Sequence, residues 1–114
     1  MHTPRHRFLF ISSEGCCSEL ARRTLDQGAE VRLFIEDPSC QDVADGFVPK
    51  SQDAAADLDW AEVVVFDDTQ GRGAQAEALR RAGKLVVGGT PYSDRLEDER
   101  AFGQAELSRH GLPL

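Results

Sequence analysis

The same run of signals occurs twice in this chain: a short, almost unbroken apolar stretch, a segment with helical spacing closed by glycine, then a second apolar stretch. Phe8 to Ile11 is followed by Cys17, Leu20, Ala21 and Leu25, then Gly28, then Val31 to Ile35. Glu62 to Phe66 is followed by Ala74 to Arg81, then Gly83, then Leu85 to Val87. Apolar residues three and four apart mark a helix face, and glycine ends the helix. Strands that are apolar at nearly every position belong to parallel sheets with helices on both faces. The pattern predicts a three-layer, Rossmann-like α/β domain with a sheet of four or five parallel strands. A chain of 114 residues holds one such domain and no more.

Between the two units, Ser39 to Trp60 reads as loop and short helix, with a small apolar island at Phe47-Val48 that could form a short strand. A last helix is predicted from about Glu97 to Arg109, stopped by Gly111 with Pro113 beyond it. Right-handed crossovers then gather four loops at one edge of the sheet: Ser12 to Gly15, Glu36 to Ser39, Asp67 to Gly73 and Gly88 to Tyr92.

Thirteen basic against twenty acidic residues give a formal charge of −7, a field that repels nucleic-acid phosphates and anionic membranes. The expected partner is a small molecule, with no nucleic acid and no membrane. Met1 to Arg7 is basic but leads into no long apolar run, so neither a signal peptide nor a membrane span is expected, and a cytoplasmic protein is. Cys16, Cys17 and Cys40 are an odd set without a C-x-x-C, which suggests reduced thiols.

The first loop could be a dinucleotide turn, with Glu36 about 20 residues on to hold a ribose. It has one glycine, however, and Glu14 would face the pyrophosphate. A capping turn built on Ser12 or Ser13 accounts for it better. Cys16 or Cys17 at a helix N-terminus could be an activated thiolate. His2, His6 and His110 all lie near the termini, so no base is at hand and no catalytic residue is assigned. No ligand spacing for zinc occurs. Asp67-Asp68 at a strand end, with Gly71 and Gly73 beside it, is either a solvated loop with Asx turns or a ligand-facing loop.

The C-terminal third carries a family resemblance. Leu85-Val86-Val87-Gly88-Gly89-Thr90, then Leu96-Glu97, Arg100-Ala101-Phe102 and His110-Gly111-Leu112-Pro113, resembles the junction in phosphoribosylamine-glycine ligase and its relatives in the ATP-grasp superfamily. There a strand ends in Gly-Pro-Ser, a basic residue precedes Ala-Phe, and Gly-Ile-Pro leads into the grasp domain. With the earlier strands, the likeness covers nearly the whole chain as the N-terminal, pre-ATP-grasp domain, residues 1–114, with a grasp domain expected after 114.

The resemblance implies the substrate side of an ATP-dependent carboxylate-amine ligase of purine-biosynthesis type. ATP and Mg2+ would then be held by the full-length enzyme, chiefly in the grasp domain, and not by this stretch alone. Ser12, Ser13, Glu14, Gly15, Asp67 and Asp68 would face the substrate, and Gly88, Gly89, Thr90 and Arg100 the nucleotide. The first turn departs from the family's glycine-rich turn, and Gly88-Gly89-Thr90-Pro91 lacks the family's lysine. Arg100 by itself reads equally as a solvated helix charge. The alternative is a stand-alone Rossmann-like module that binds a small ligand or a protein without catalysis.

Overall fold

The computed structural model describes residues 5–68 and 71–114. The expectations that rest on Met1 to Pro4, and on Thr69 and Gln70 in the loop after Asp68, lie outside the described residues. Four strands, β1 (Arg7–Ser12), β2 (Glu30–Ile35), β3 (Val63–Phe66) and β4 (Leu85–Val87), form one sheet in the order β2-β1-β3-β4. Every pairing is parallel, with Phe8 beside Val31 and Val63, and Val63 beside Leu85. This is the four-stranded α/β arrangement that the repeated strand, helix, strand pattern predicts.

Alternation along the strands divides the core in two. Phe10, Val31, Leu33, Ile35, Val63 and Val65 face α1 (Ser18–Asp26), which contributes Ala21, with Cys17 just before it. Leu9, Ile11, Val64 and Phe66 face the other way, toward α2 (Ala54–Trp60) and α3 (Gly73–Arg81), with Ala76, Leu58 and Leu79 packed on them. The three layers are thus α1, sheet, α2 with α3. On this second side Arg32 leaves β2 to meet the buried Asp57 of α2 at 2.5 Å, lying 4.0 Å above the Trp60 ring. Asp57 also accepts from the Ser51 hydroxyl.

Phe47-Val48 is no strand: Val48 is buried in a turn, and pairing falls just beyond, where Lys50 bridges to Leu33. Lys50 does so with its amine tied to the carbonyls of Gln41 and Val43, which the local pattern does not reveal. Pro49 O accepts from Leu33 N, and Ser51 N donates to Leu33 O, which occupies the outer side of β2. At the opposite side of the sheet, Leu85 N donates inward to Glu62, so the Val86 and Gly88 carbonyls point outward. Arg80 of α3 takes both, at 3.3 and 2.9 Å, together with Gly89 O at 2.7 Å.

The last helix is two. Thr90 caps α4 (Pro91–Asp98) from Ser93 N, and Pro91 supplies a preformed first turn, so helix begins well before Glu97. Glu99, in extended backbone, ends α4 and starts α5 (Arg100–Arg109). The break lets α5 fold back on α4, where Phe102 meets Tyr92 edge-on and lies 3.7 Å beneath the Arg95 guanidinium. A Cβ on Gly103 would stand 2.7 Å from Leu96 O, so only glycine fits this crossing. No helix among the described residues is long and apolar enough to cross a membrane.

Candidate functional site

The carboxyl ends of β1 and β3 lie side by side, and the chain leaves them in opposite directions, to α1 on one face and α3 on the other. Open α/β sheets bind ligands at such a switch point. A cavity of about 320 Å³ sits there, lined by Ser12, Ser13, Glu14, Cys16, Asp67 and Asp68. Of the six residues expected to face a substrate, five line it; the sixth, Gly15, is buried beneath. Its φ of +94° and the Val43 methyl 2.7 Å from where a Cβ would be explain why glycine turns the chain here.

Two serine-aspartate pairs join the loops. Ser12 Oγ donates to Asp67 at 2.6 Å and accepts from Gly15 N at 2.8 Å. Ser13 Oγ donates to Asp68. The same Asp67 oxygen accepts from Cys17 N at 2.9 Å, so the carboxylate sits on the N-terminus of α1. The expected serine cap is therefore corrected: Ser12 closes the turn before the helix, and Asp67, fifty residues away, takes the amide of Cys17, the residue that begins the helix. A serine at the end of a strand has its hydroxyl within reach of the backbone three residues on, before the helix begins.

Arg72 does not line the cavity but holds one of its carboxylates, Asp68. Its guanidinium binds Asp68 through Nε at 3.2 Å and Glu36 through both terminal nitrogens, one at 3.0 Å, above the Phe66 ring. Partial burial draws its pKa down from the ordinary arginine value. The Cys17 thiol is pushed up to about 12, first by burial and then by the charge and hydrogen bond of Asp67. That is the reverse of an activated thiolate. Cys16, beside it, is exposed.

Gly88, Gly89 and Thr90 lie at the same edge, beyond β4; Arg80 holds the two glycine carbonyls, and Thr90 is held by its own helix. Arg100 is set apart from them. It follows the far end of α4, a helix about 12 Å long, and lines a groove of about 370 Å³ with Leu96, Glu97 and Leu107. Sequence reasoning placed no weight on Arg72 or Asp94. Asp94 of α4 accepts from Gly73 N at 2.8 Å and so caps α3. Arg72 stands between two glycines, a signal of sorts; Asp94 gives none.

Among the described residues, no three His, Cys, Asp or Glu side chains gather as a metal-binding group. Comparison with protein-family models, with curated proteins and with solved structures yields no match. The fold is that of a small Rossmann-like α/β domain, and its site is read from its own geometry.

Proposed function

We propose that this domain binds a small polar molecule at the β1/β3 crevice, without chemistry of its own, and that the molecule presents amino or hydroxyl donors. The observation that supports this is Asp67 on the N-terminus of α1. In dinucleotide-binding domains that helix end receives a phosphate; here an internal carboxylate takes it. The helices α2, α3 and α4 are likewise capped from within, by Asp53, Asp94 and Thr90. The serine hydroxyls of the crevice already donate to Asp67 and Asp68. What the lining side chains leave for a ligand is mainly carboxylate oxygen, in a chain of net charge −7.

Nucleotide phosphates do not fit this donor set, so no ATP is assigned to these residues. The same acceptor-rich crevice favours one finer reading. As the substrate side of an ATP-dependent carboxylate-amine ligase, as the resemblance implies, the domain would hold the amine, and ATP and Mg2+ would belong to a grasp domain.

Titration of the 15N-labelled chain tests the proposal. Ethanolamine at millimolar concentration is expected to shift the amides of Ser13 to Cys17 and of Asp67 and Asp68, and Asp68→Asn to weaken that response several-fold. ATP or inorganic phosphate shifting the same amides more strongly than ethanolamine would overturn it. Amine-dependent release of phosphate from ATP on adding a separate grasp-domain protein, a carboxylate and an amine would support the ligase reading; release unchanged by this domain would remove it.

A further inference from the structure

The sheet is left bare over part of one face. Leu85 and Val87 of β4 lie in register with Val63 and Val65 and point the same way, toward the side that α1 covers. Val63 and Val65 are buried, whereas Leu85 and Val87 are 69 % and 59 % exposed. Parallel sheets are found with both faces covered. On this side α1 packs chiefly on β2, and the helix that packs on β4, α3, lies on the opposite face.

The chain has a helical element to spare, but on the wrong side. The helix α5 packs against α4, and α4 against α3, which lies on the opposite face of the sheet. The arm of α4 and α5 is held there by the Asp94 to Gly73 hydrogen bond and by the tight crossing at Gly103. Apolar side chains of the arm and of the residues just after it are open: Tyr92, Leu96, Leu107 and, beyond α5, Leu112 are 38–53 % exposed, and Leu96 and Leu107 wall one groove. The chain is extended in consequence. Its radius of gyration is 16.4 Å, where a compact domain of this length has about 13 Å.

We propose that the bare β4 face and the α4–α5 arm are two halves of one interface, completed between two copies of this chain. The arm of each copy covers the β4 face of the other, and a twofold axis makes the exchange reciprocal and closed. The area is sufficient. Fully exposed, each of these six side chains offers on the order of 100 Å² of apolar surface, and about half of that is open here. Counted on both copies and with the usual polar share of an interface, the six account for roughly 1,050 Å² in total, just past the roughly 1,000 Å² that a biological interface should clear. The sheet itself separates arm and face within one copy, so the arm of one copy does not cover its own face. This inference is independent of what the crevice binds.

Sedimentation velocity on the full chain, from about 1 to 100 μM, provides the test. The wild-type chain is expected to sediment as a dimer. Leu85→Lys on the face and Leu107→Lys on the arm are each expected to weaken dimerisation at least about tenfold, roughly 1.4 kcal/mol, with the circular dichroism unchanged. Leu85→Thr, which suits a strand better, serves if the lysine variant fails to fold, and is expected to weaken the dimer in the same direction. An equimolar mixture of the two lysine variants should regain dimer, because one of its two contacts joins an intact face to an intact arm. A monomeric wild type overturns the proposal, and so does a ladder of larger species. A Leu107→Lys chain as dimeric as the wild type overturns it too, and would leave the two β4 faces packed on each other. Failure of the mixture to regain dimer removes the reciprocal exchange.

Discussion

Replacing Asp67 with alanine should cost more stability than its position in a surface loop suggests. Its carboxylate is the acceptor for Ser12 Oγ at 2.6 Å and Cys17 N at 2.9 Å, and Ser12 is 1 % exposed. A buried donor left without an acceptor costs about 1–3 kcal/mol. Two are orphaned here, but the crevice is open on one side and water can reach part of it, so the lower half of that range applies, about 2–3 kcal/mol in all. With a urea slope of about 1.5 kcal/mol per M, the unfolding midpoint should fall by roughly 1.5–2 M. Asp67→Asn retains a carbonyl acceptor and should lose about 1 kcal/mol or less. The Ser12→Ala background isolates the pair: there Asp67→Ala should cost about 1 kcal/mol less than in the wild type. A midpoint within 0.3 M of the wild type, or costs that simply add, would refute the role given to Asp67 as the bridge between β3 and α1; the first figure corresponds to about 0.5 kcal/mol.

Asp57→Ala strands Arg32 and the buried Ser51 hydroxyl, and should lower the melting temperature by roughly 10 °C, from about 2–3 kcal/mol; a change under about 2 °C would show that Trp60 alone holds Arg32. Gly73→Ala drives a Cβ into the Thr90 backbone and should cost about 2–3 kcal/mol by urea unfolding while loosening α4 from α3, which faster hydrogen exchange in α4 would report. The Cys17 thiol is expected to resist alkylation in the native chain at pH 8 while Cys16 reacts, and mass mapping of the labelled peptides checks it. Because its pKa rises from 9.0 in the unfolded chain to about 12 in the folded one, the unfolded state releases the proton first, and stability should decline as pH rises from about 9 toward 12. Cys17→Ala should flatten that decline.

The four strands were legible in the sequence because β-branched and aromatic residues fill Phe8–Ile11, Val31–Ile35, Val63–Phe66 and Leu85–Val87 almost without interruption. The crevice was legible in its loops, since Ser12 to Gly15 and Asp67-Asp68 both follow such strands. What was hidden lies in long-range pairing. Nothing near Cys17 shows that its amide waits for a carboxylate fifty residues on, and the serines beside it are a nearer and plausible cap. The split at Glu99 was hidden for another reason: helical spacing continues through it, and only the close passage of Gly103 over Leu96 demands the bend. Arg100 read as a nucleotide contact by resemblance; its distance from Gly88 to Thr90 follows from the length of α4, which begins at Pro91 and not near Glu97.

The Arg80 side chain has a consequence for how this molecule meets its neighbours. An exposed strand edge is a template on which another chain can crystallise its backbone, and repeated addition leads to fibrils. Here the outward carbonyls of Val86 and of Gly88 just beyond β4 are already held by a guanidinium anchored in α3, and at the far edge Pro49 and Ser51 take both backbone groups of Leu33 at the centre of β2. A newcomer strand would have to evict a charge before gaining its first bond. The sheet is therefore finite in its own plane, and association is steered to its flat side, where contacts are made by side chains that selection can adjust one at a time. Loss of Arg80 would remove that barrier and turn a domain that pairs by its face into one that can polymerise by its rim.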